Sequence, residues 1–203
     1  MKNLKSVLTN SFSIIFGILI YIFLSQNFFT YSASISGTPT EGAKTGYQLI
    51  RQLFEGGDAT PTSTAMVVGL FIISILAGLM IICSIYSLLR NFNVIKVENE
   101  KLDKIISIMN IVFGVLIAIF AIVSISCTSA YLKDGLNMSI ATTAAETLTA
   151  AGMPNITPEL VLNTLMTDYS ASIAWANIVN LIISILIAVS TVLTFVFDKK
   201  SNN

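Results

Sequence analysis

The chain has 203 residues, of which 54% are hydrophobic and 11% are charged, and its mean hydropathy is +0.81. Soluble domains carry about 25% charged residues, so this composition argues against a soluble enzyme and against a disordered protein. Eleven basic and eleven acidic residues leave no net charge, which argues against a nucleic-acid partner. The chain has no histidine, the commonest metal ligand and acid–base group near neutral pH. The sequence therefore predicts no metal site and no cofactor.

Four long segments without any charged residue predict four helices that span the lipid bilayer. They are residues 6–40, 59–89, 105–132 and 169–197. A helix needs about 20 apolar residues to cross the hydrocarbon core, so each segment has room for one crossing. Runs such as FIISILAGLMII lack the alternation of a membrane barrel strand. The sequence predicts a single domain, 1–203, that is an all-α integral membrane protein, a bundle of four helices near 9–31, 65–89, 105–128 and 171–196.

The distribution of lysine and arginine predicts that both termini are cytoplasmic. Basic residues are retained on the cytoplasmic side of a membrane, and eight of the eleven lie near the two termini or in the middle loop. These eight are Lys2, Lys5, Arg90, Lys96, Lys101, Lys104, Lys199 and Lys200. The loops 32–64 and 129–170 are then extracytoplasmic. We expect a plasma membrane, and the isoleucine-rich helices together with outer loops that lack cysteine favour a bacterial one.

Small and polar residues recur three or four positions apart on the third and fourth predicted helices, which places each set on one helix face. The sets are Ser107, Asn110, Gly114 and Ala118, and Asn177, Asn180, Ser184, Ala188, Thr191 and Thr194. Small residues let helices approach closely, and amide and hydroxyl groups hydrogen-bond across the contact. The favoured interpretation is a packing seam within the bundle or between subunits. The alternative is a neutral pore lining, with the fourth helix facing the lumen.

Both outer loops are predicted to contain short helices. In TGYQLIRQLFEGG, Thr45 can cap a helix on which Tyr47, Ile50 and Phe54 share an apolar face. We expect this face to pack on the second outer loop or to rest at the lipid interface, with docking of another protein as the alternative. In the second loop, NMSIATTAAETLTAAG and ELVLNTLMTD are the candidate helices, because Thr157-Pro158 is a helix start signal for the latter.

Aromatic residues near the predicted outer boundary are typical of a membrane-interface belt. They are Tyr31, Tyr131, Tyr169 and Trp175.

No residue pattern in the chain is typical of an enzyme. Asp58 and Asp134 lie beside glycines but in no known catalytic motif, and the lack of histidine excludes a histidine-assisted nucleophile. The four-span layout is shared with claudins, tetraspanins and connexins, whose outer loops carry cysteines; here those loops carry none, so no family is assigned. The sequence favours a non-enzymatic tetraspan protein that works in the lipid bilayer as a homo-oligomer or as a subunit with other membrane proteins. A neutral oligomeric pore is the alternative, and a membrane enzyme ranks last.

Overall fold

The computed structural model describes residues 4–55, 61–95, 100–153 and 155–201. In chain order the elements are α1 (Leu4–Leu24), β1 (Asn27–Ile35), β2 (Thr38–Thr45), α2 (Gly46–Glu55), α3 (Pro61–Asn91), α4 (Glu100–Ala130), α5 (Leu136–Ala150), α6 (Pro158–Leu160), β3 (Met166–Ile173) and α7 (Trp175–Ser201). Two π-helical turns, Tyr131–Gly135 and Val161–Leu165, follow α4 and α6.

Four helices, α1, α3, α4 and α7, are long and apolar enough to cross a membrane. They form a bundle in which α3 and α7 each pack against both α1 and α4. Large apolar side chains cover the outside of every helix, for example Phe12, Ile82, Ile122 and Ile182. Such extensive exposed apolar surface marks contact with lipid or protein rather than with water. The arrangement indicates a multi-pass membrane protein.

A three-stranded antiparallel sheet in the order β2-β1-β3 lies at one end of the bundle. The central strand β1 follows α1, and β3 leads into α7, so the sheet joins the two predicted outer loops. Ser36 and Gly37, both with positive φ, make the two-residue turn between β1 and β2, the backbone geometry that such tight hairpins require. We call the sheet together with α2, α5, α6 and the two π-helical turns the cap.

The sheet corrects three predictions from the sequence. The first helix ends at Leu24 rather than near residue 31, and the fourth begins at Trp175 rather than at 171. ELVLNTLMTD forms only the three residues of α6, a π-helical turn and the start of β3. The reason is that residues 27–35 carry no charge, so hydropathy does not separate them from the first helix. Residues 30–35 and 169–173 alternate hydroxyl-bearing residues with apolar ones, which is a strand pattern.

Candidate functional site

The inner face of the sheet is fixed to the end of α4 by aromatic residues. Phe29 of β1 is fully buried, and its ring lies 6.0 Å from the ring of Tyr131, centroid to centroid. On β3, the Tyr169 hydroxyl donates a hydrogen bond of 2.7 Å to the backbone carbonyl of Leu132. Both contacts reach the π-helical turn after α4, so the cap and the bundle share one hydrophobic core.

The four aromatic residues that were predicted to lie at the membrane interface differ in their exposure. Tyr131 is buried, and Tyr31 and Tyr169 are partly buried in the hydrophobic core. Trp175, by contrast, is 61% exposed and packs edge-on against Phe23 at the start of α7. Three of the four aromatic residues therefore pack within the protein, and Trp175 alone among them has the exposure of an interfacial residue.

Burial, with a smaller effect of the nearby Tyr131, raises the pKa of Tyr169 to about 12. The unfolded chain releases this proton near pH 10, so between pH 10 and 12 the unfolded state binds fewer protons than the folded state. Stability from this group is therefore complete below pH 10 and is lost as the pH rises through 12.

We expect Tyr169→Phe to lower the free energy of unfolding by about 0.5–1.5 kcal/mol at neutral pH, the net value of one hydrogen bond. The variant should also lose less stability than the wild-type protein when the pH is raised from 10 to 12. Thermal unfolding in detergent across this pH range measures both effects. Parallel pH profiles for the two proteins would contradict the assignment.

The face of the sheet that points away from the bundle carries paired hydroxyl groups. Thr30 and Ser172 lie 3.2 Å apart, oxygen to oxygen, and Ser32 and Ser170 lie 2.9 Å apart. Each pair joins β1 to β3, so the hydroxyl groups bond to one another across the strands.

Helix α5 buries one face and exposes another that is nearly uncharged. Its buried side, including Ile140, Ala141 and Ala145, packs in the cap. We call the opposite side the α5 face: Met138, Thr142, Thr143, Glu146 and Thr147. The three threonine hydroxyls donate to the backbone carbonyls four residues earlier, at 2.9, 3.1 and 2.8 Å. Because these hydroxyls are already bonded within the helix, the α5 face offers mainly methyl groups and one carboxylate.

Helix α2 begins with a capping box, in which the Thr45 hydroxyl accepts from the Gln48 backbone N–H at 3.2 Å and the Gln48 side chain accepts from the Thr45 N–H at 2.9 Å. Of the predicted face, Ile50 is partly buried, whereas Tyr47 is 42% and Phe54 72% exposed. The helix packs on α3 rather than on the second loop, with Phe54 against Phe71.

Two titratable groups at the start of α2 are affected by burial. Burial lowers the pKa of Lys44, and burial, with Tyr21 nearby, raises the pKa of Tyr47. Both shifts disfavour the charged form, as expected where water is partly excluded.

The polar residues of the predicted helix faces lie inside the bundle. The Asn110 side-chain amide donates to the Ser84 hydroxyl of α3 at 3.4 Å. The Asn177 amide donates to the Thr128 hydroxyl of α4, also at 3.4 Å. The side-chain oxygens of Asn110 and Asn180 are buried and accept no hydrogen bond from the described residues. The polar faces thus join helices of the same chain.

Not all residues that were predicted to form the polar faces of α4 and α7 are buried between the helices. Those that are buried are Asn110, Gly114, Ala118, Asn177, Asn180, Ser184 and Thr191. Ala188 is partly buried, and the side chain of Thr194 lies outside the described residues. Ser107 is exposed. It is two helical turns from Gly114 and so lies on the same side of α4, but close to the Glu100 end of the helix.

Sequence reasoning did not single out the buried polar residues Asn10 on α1, Ser84 on α3 and Thr128 on α4. On α1, Asn10, Ser13 and Gly17 are three and four positions apart, the same signal that identified the faces on the later helices. On α3, Ser84, Ser87 and Asn91 follow the same three- and four-residue spacing, and Ser84 accepts the Asn110 amide.

An open depression of about 410 Å³ lies between the end of α4 and β3, beside Lys133 and Tyr169. Within the described ranges, no group of three or more cysteine, aspartate or glutamate residues is placed to hold a metal ion. Asp58 and the Asp134 side chain lie outside the residues that the structure describes.

Comparison of this chain with protein-family models, with curated proteins and with solved structures finds no match.

Proposed function

We propose that this chain is a non-enzymatic tetraspan protein that works as part of a membrane assembly, either as a homo-oligomer or as a subunit beside other membrane proteins. The observation that carries the proposal is the α5 face. The surface of a soluble domain is about 25–35% charged, whereas the fifteen residues of α5 contain a single charge, Glu146. The buried centres of protein–protein interfaces are likewise depleted of charged residues.

The cap is the extracytoplasmic part of the molecule in this proposal, and both termini are cytoplasmic. The cap contains Lys44, Arg51 and Lys133, whereas the other eight basic residues lie near the termini, in the loop between α3 and α4, or in the adjoining ends of these two helices. This asymmetry follows the rule that basic residues stay on the cytoplasmic side. We place the protein in the plasma membrane of a bacterium, on the grounds of its isoleucine-rich helices and cysteine-free cap.

A neutral pore is the second candidate. The buried, unpartnered side-chain oxygens of Asn110 and Asn180 favour it, because a buried polar atom without a protein partner is commonly bonded to water. It is less well supported than assembly through the cap, since Asn177, Asn180 and Thr191 are buried between helices of one chain rather than exposed to a lumen shared by several. A membrane enzyme is the weakest candidate, because no described constellation supports it.

The assembly proposal is tested by placing a positive charge on the α5 face with Thr143→Arg. Thr143 is exposed and arginine is a good helix former, so the fold should be kept. We expect the assembled fraction in native-like nanodiscs to fall about tenfold or more, since arginine is bulky and removing its charge from water at a contact costs several kcal/mol. Light scattering and co-purification of differently tagged copies measure it.

The matched control is Thr38→Arg, which adds the same charge at an exposed position on β2, the strand at the far edge of the sheet from β3. We expect this variant to assemble as the wild-type chain does. A wild-type chain that is monomeric and without a partner would contradict the proposed function. Equal assembly of Thr143→Arg and wild type would exclude the α5 face as the contact.

A further inference from the structure

We propose that α2 is a membrane-surface helix whose apolar edge, Tyr47, Leu53 and Phe54, lies among the lipids at the cap end of the bundle. Lipid is thus the molecule that contacts this exposed edge. The inference does not rest on the proposed function.

The position of α2 along α3 is the first support. The rings of Phe54 and Phe71 lie 5.8 Å apart in an edge-on arrangement. Phe71 belongs to the segment Thr62–Asn91 that is long and apolar enough to span a membrane. At 1.5 Å per residue, Phe71 lies about 13 Å along α3 from Thr62. The end of α2 is therefore level with the apolar part of a spanning helix and not beyond it.

The second support is the continuity of exposed apolar surface from α3 to α2. Val68, Phe71 and Ile75 of α3 lie on one face of the helix, and Val68 and Ile75 are exposed. Phe54 rests on this lipid-facing stripe and is itself largely exposed. An aromatic side chain with so much exposed area in contact with the stripe continues the surface that the bundle presents to lipid.

The polar side of α2 fits the same placement. Arg51 and Glu55 form an ion pair of 2.6 Å and are both well exposed. A helix that is charged on one side and apolar on the other lies in the plane of the interface, with its apolar side at the boundary of headgroups and acyl chains. The charges of α2 are thus on the side of headgroups and water.

The start of α2 is joined closely to the bundle. A β-carbon at Gly46 would lie 2.7 Å from Cδ2 of Leu24 and 2.9 Å from its backbone oxygen, so only glycine permits this approach of α2 to the end of α1. Because one end of α2 is held on α1 and the other lies on α3, lipid contact along α2 would fix the depth of the cap relative to the bilayer.

Tryptophan fluorescence tests the proposal, since Trp175 is the single tryptophan of the chain. In the Trp175→Phe protein, Phe54→Trp places the probe on the apolar edge and Arg51→Trp places it on the polar side. The proteins are reconstituted in phosphatidylcholine vesicles with or without bromine near the glycerol end of the acyl chains, and iodide is added from the water.

We expect bromolipid to quench Phe54→Trp about threefold more than Arg51→Trp, with the reverse order for iodide, given a burial of about 5–10 Å for interfacial helices. Tyr47→Trp should behave as Phe54→Trp does, which gives a second probe if one variant does not fold. Iodide quenching of both edge probes equal to that of Arg51→Trp would overturn the proposal, because the edge would lie in water. Protection from both quenchers would also overturn it, because protein would then cover the edge.

Adding Thr143→Arg to the probe variants distinguishes lipid contact of α2 from assembly through the α5 face. The quenching by bromolipid and by iodide should be unchanged in these proteins.

Discussion

Replacing Phe29 by alanine is expected to lower the free energy of unfolding by about 3–5 kcal/mol, the usual cost of removing a large buried aromatic ring. Phe29 is fully buried on the central strand, opposite Lys44 on one side and Ile173 on the other. Its ring contacts Tyr131 at the end of α4. The cavity left by the ring would therefore weaken both the sheet and its attachment to the bundle.

The matched control is Thr30→Ala, one residue further along the same strand. Thr30 points to the opposite, exposed face, where its hydroxyl bonds to that of Ser172, so its loss should cost about 0.5–1.5 kcal/mol, the net value of one hydrogen bond. Thermal unfolding in detergent gives the stabilities, and hydrogen exchange of residues 27–45 shows whether the sheet opens first. Equal stabilities of the two variants would mean that Phe29 does not lie in the shared core.

The four long helices could be predicted from the sequence because crossing a bilayer demands some twenty apolar residues without charge, a constraint that composition records directly. Their ends could not be predicted in the same way. Between Leu24 and Thr38 the chain changes from helix to strand without any charged residue. Serine and threonine are tolerated in both structures at low cost, so hydropathy gave no boundary there.

The sheet as a whole depends on pairing that no local pattern encodes. Thr30 and Ser172 are 142 residues apart in the chain, and their strands meet only because α1 and α7 are neighbours in the bundle. Strand preference itself is context-dependent. Residues 30–35 carry a local strand alternation that the prediction of a long first helix did not use, and the pairing with β3 depends on the helix arrangement.

For the polar faces too, the spacing of residues along one helix predicts which residues share a face, but not which helix that face contacts. Periodicity identified Asn110 and Gly114 as members of one face, and they are buried together. Periodicity did not show that Thr191 of α7 faces Gly114, nor that Ser84 receives the Asn110 amide. Which helices meet at a face depends on the order of helices around the bundle, which the spacing of residues within one helix does not contain.

The contact between α4 and α7 provides the second large prediction: Gly114→Ile should lower the free energy of unfolding by about 1–3 kcal/mol, as overpacking of a close contact does. A β-carbon at Gly114 would lie 2.7 Å from the Thr191 hydroxyl oxygen. That hydroxyl already donates to the backbone carbonyls of Ile187 and Ala188, both at 3.0 Å. The oxygen therefore cannot turn away without losing these bonds, and the helices have to separate.

Ser107→Ile is the matched control, since Ser107 lies on the same helix and was predicted on the same face, yet is exposed. It should change stability by less than about 0.5 kcal/mol. A smaller change, Gly114→Ala, can be combined with Thr191→Ala, which removes the crowding atom. If the two positions are in contact, the double variant should be more stable than the sum of the single effects predicts. Additive effects, or equal losses for Gly114→Ile and Ser107→Ile, would show that close packing of α4 on α7 does not hold this seam together.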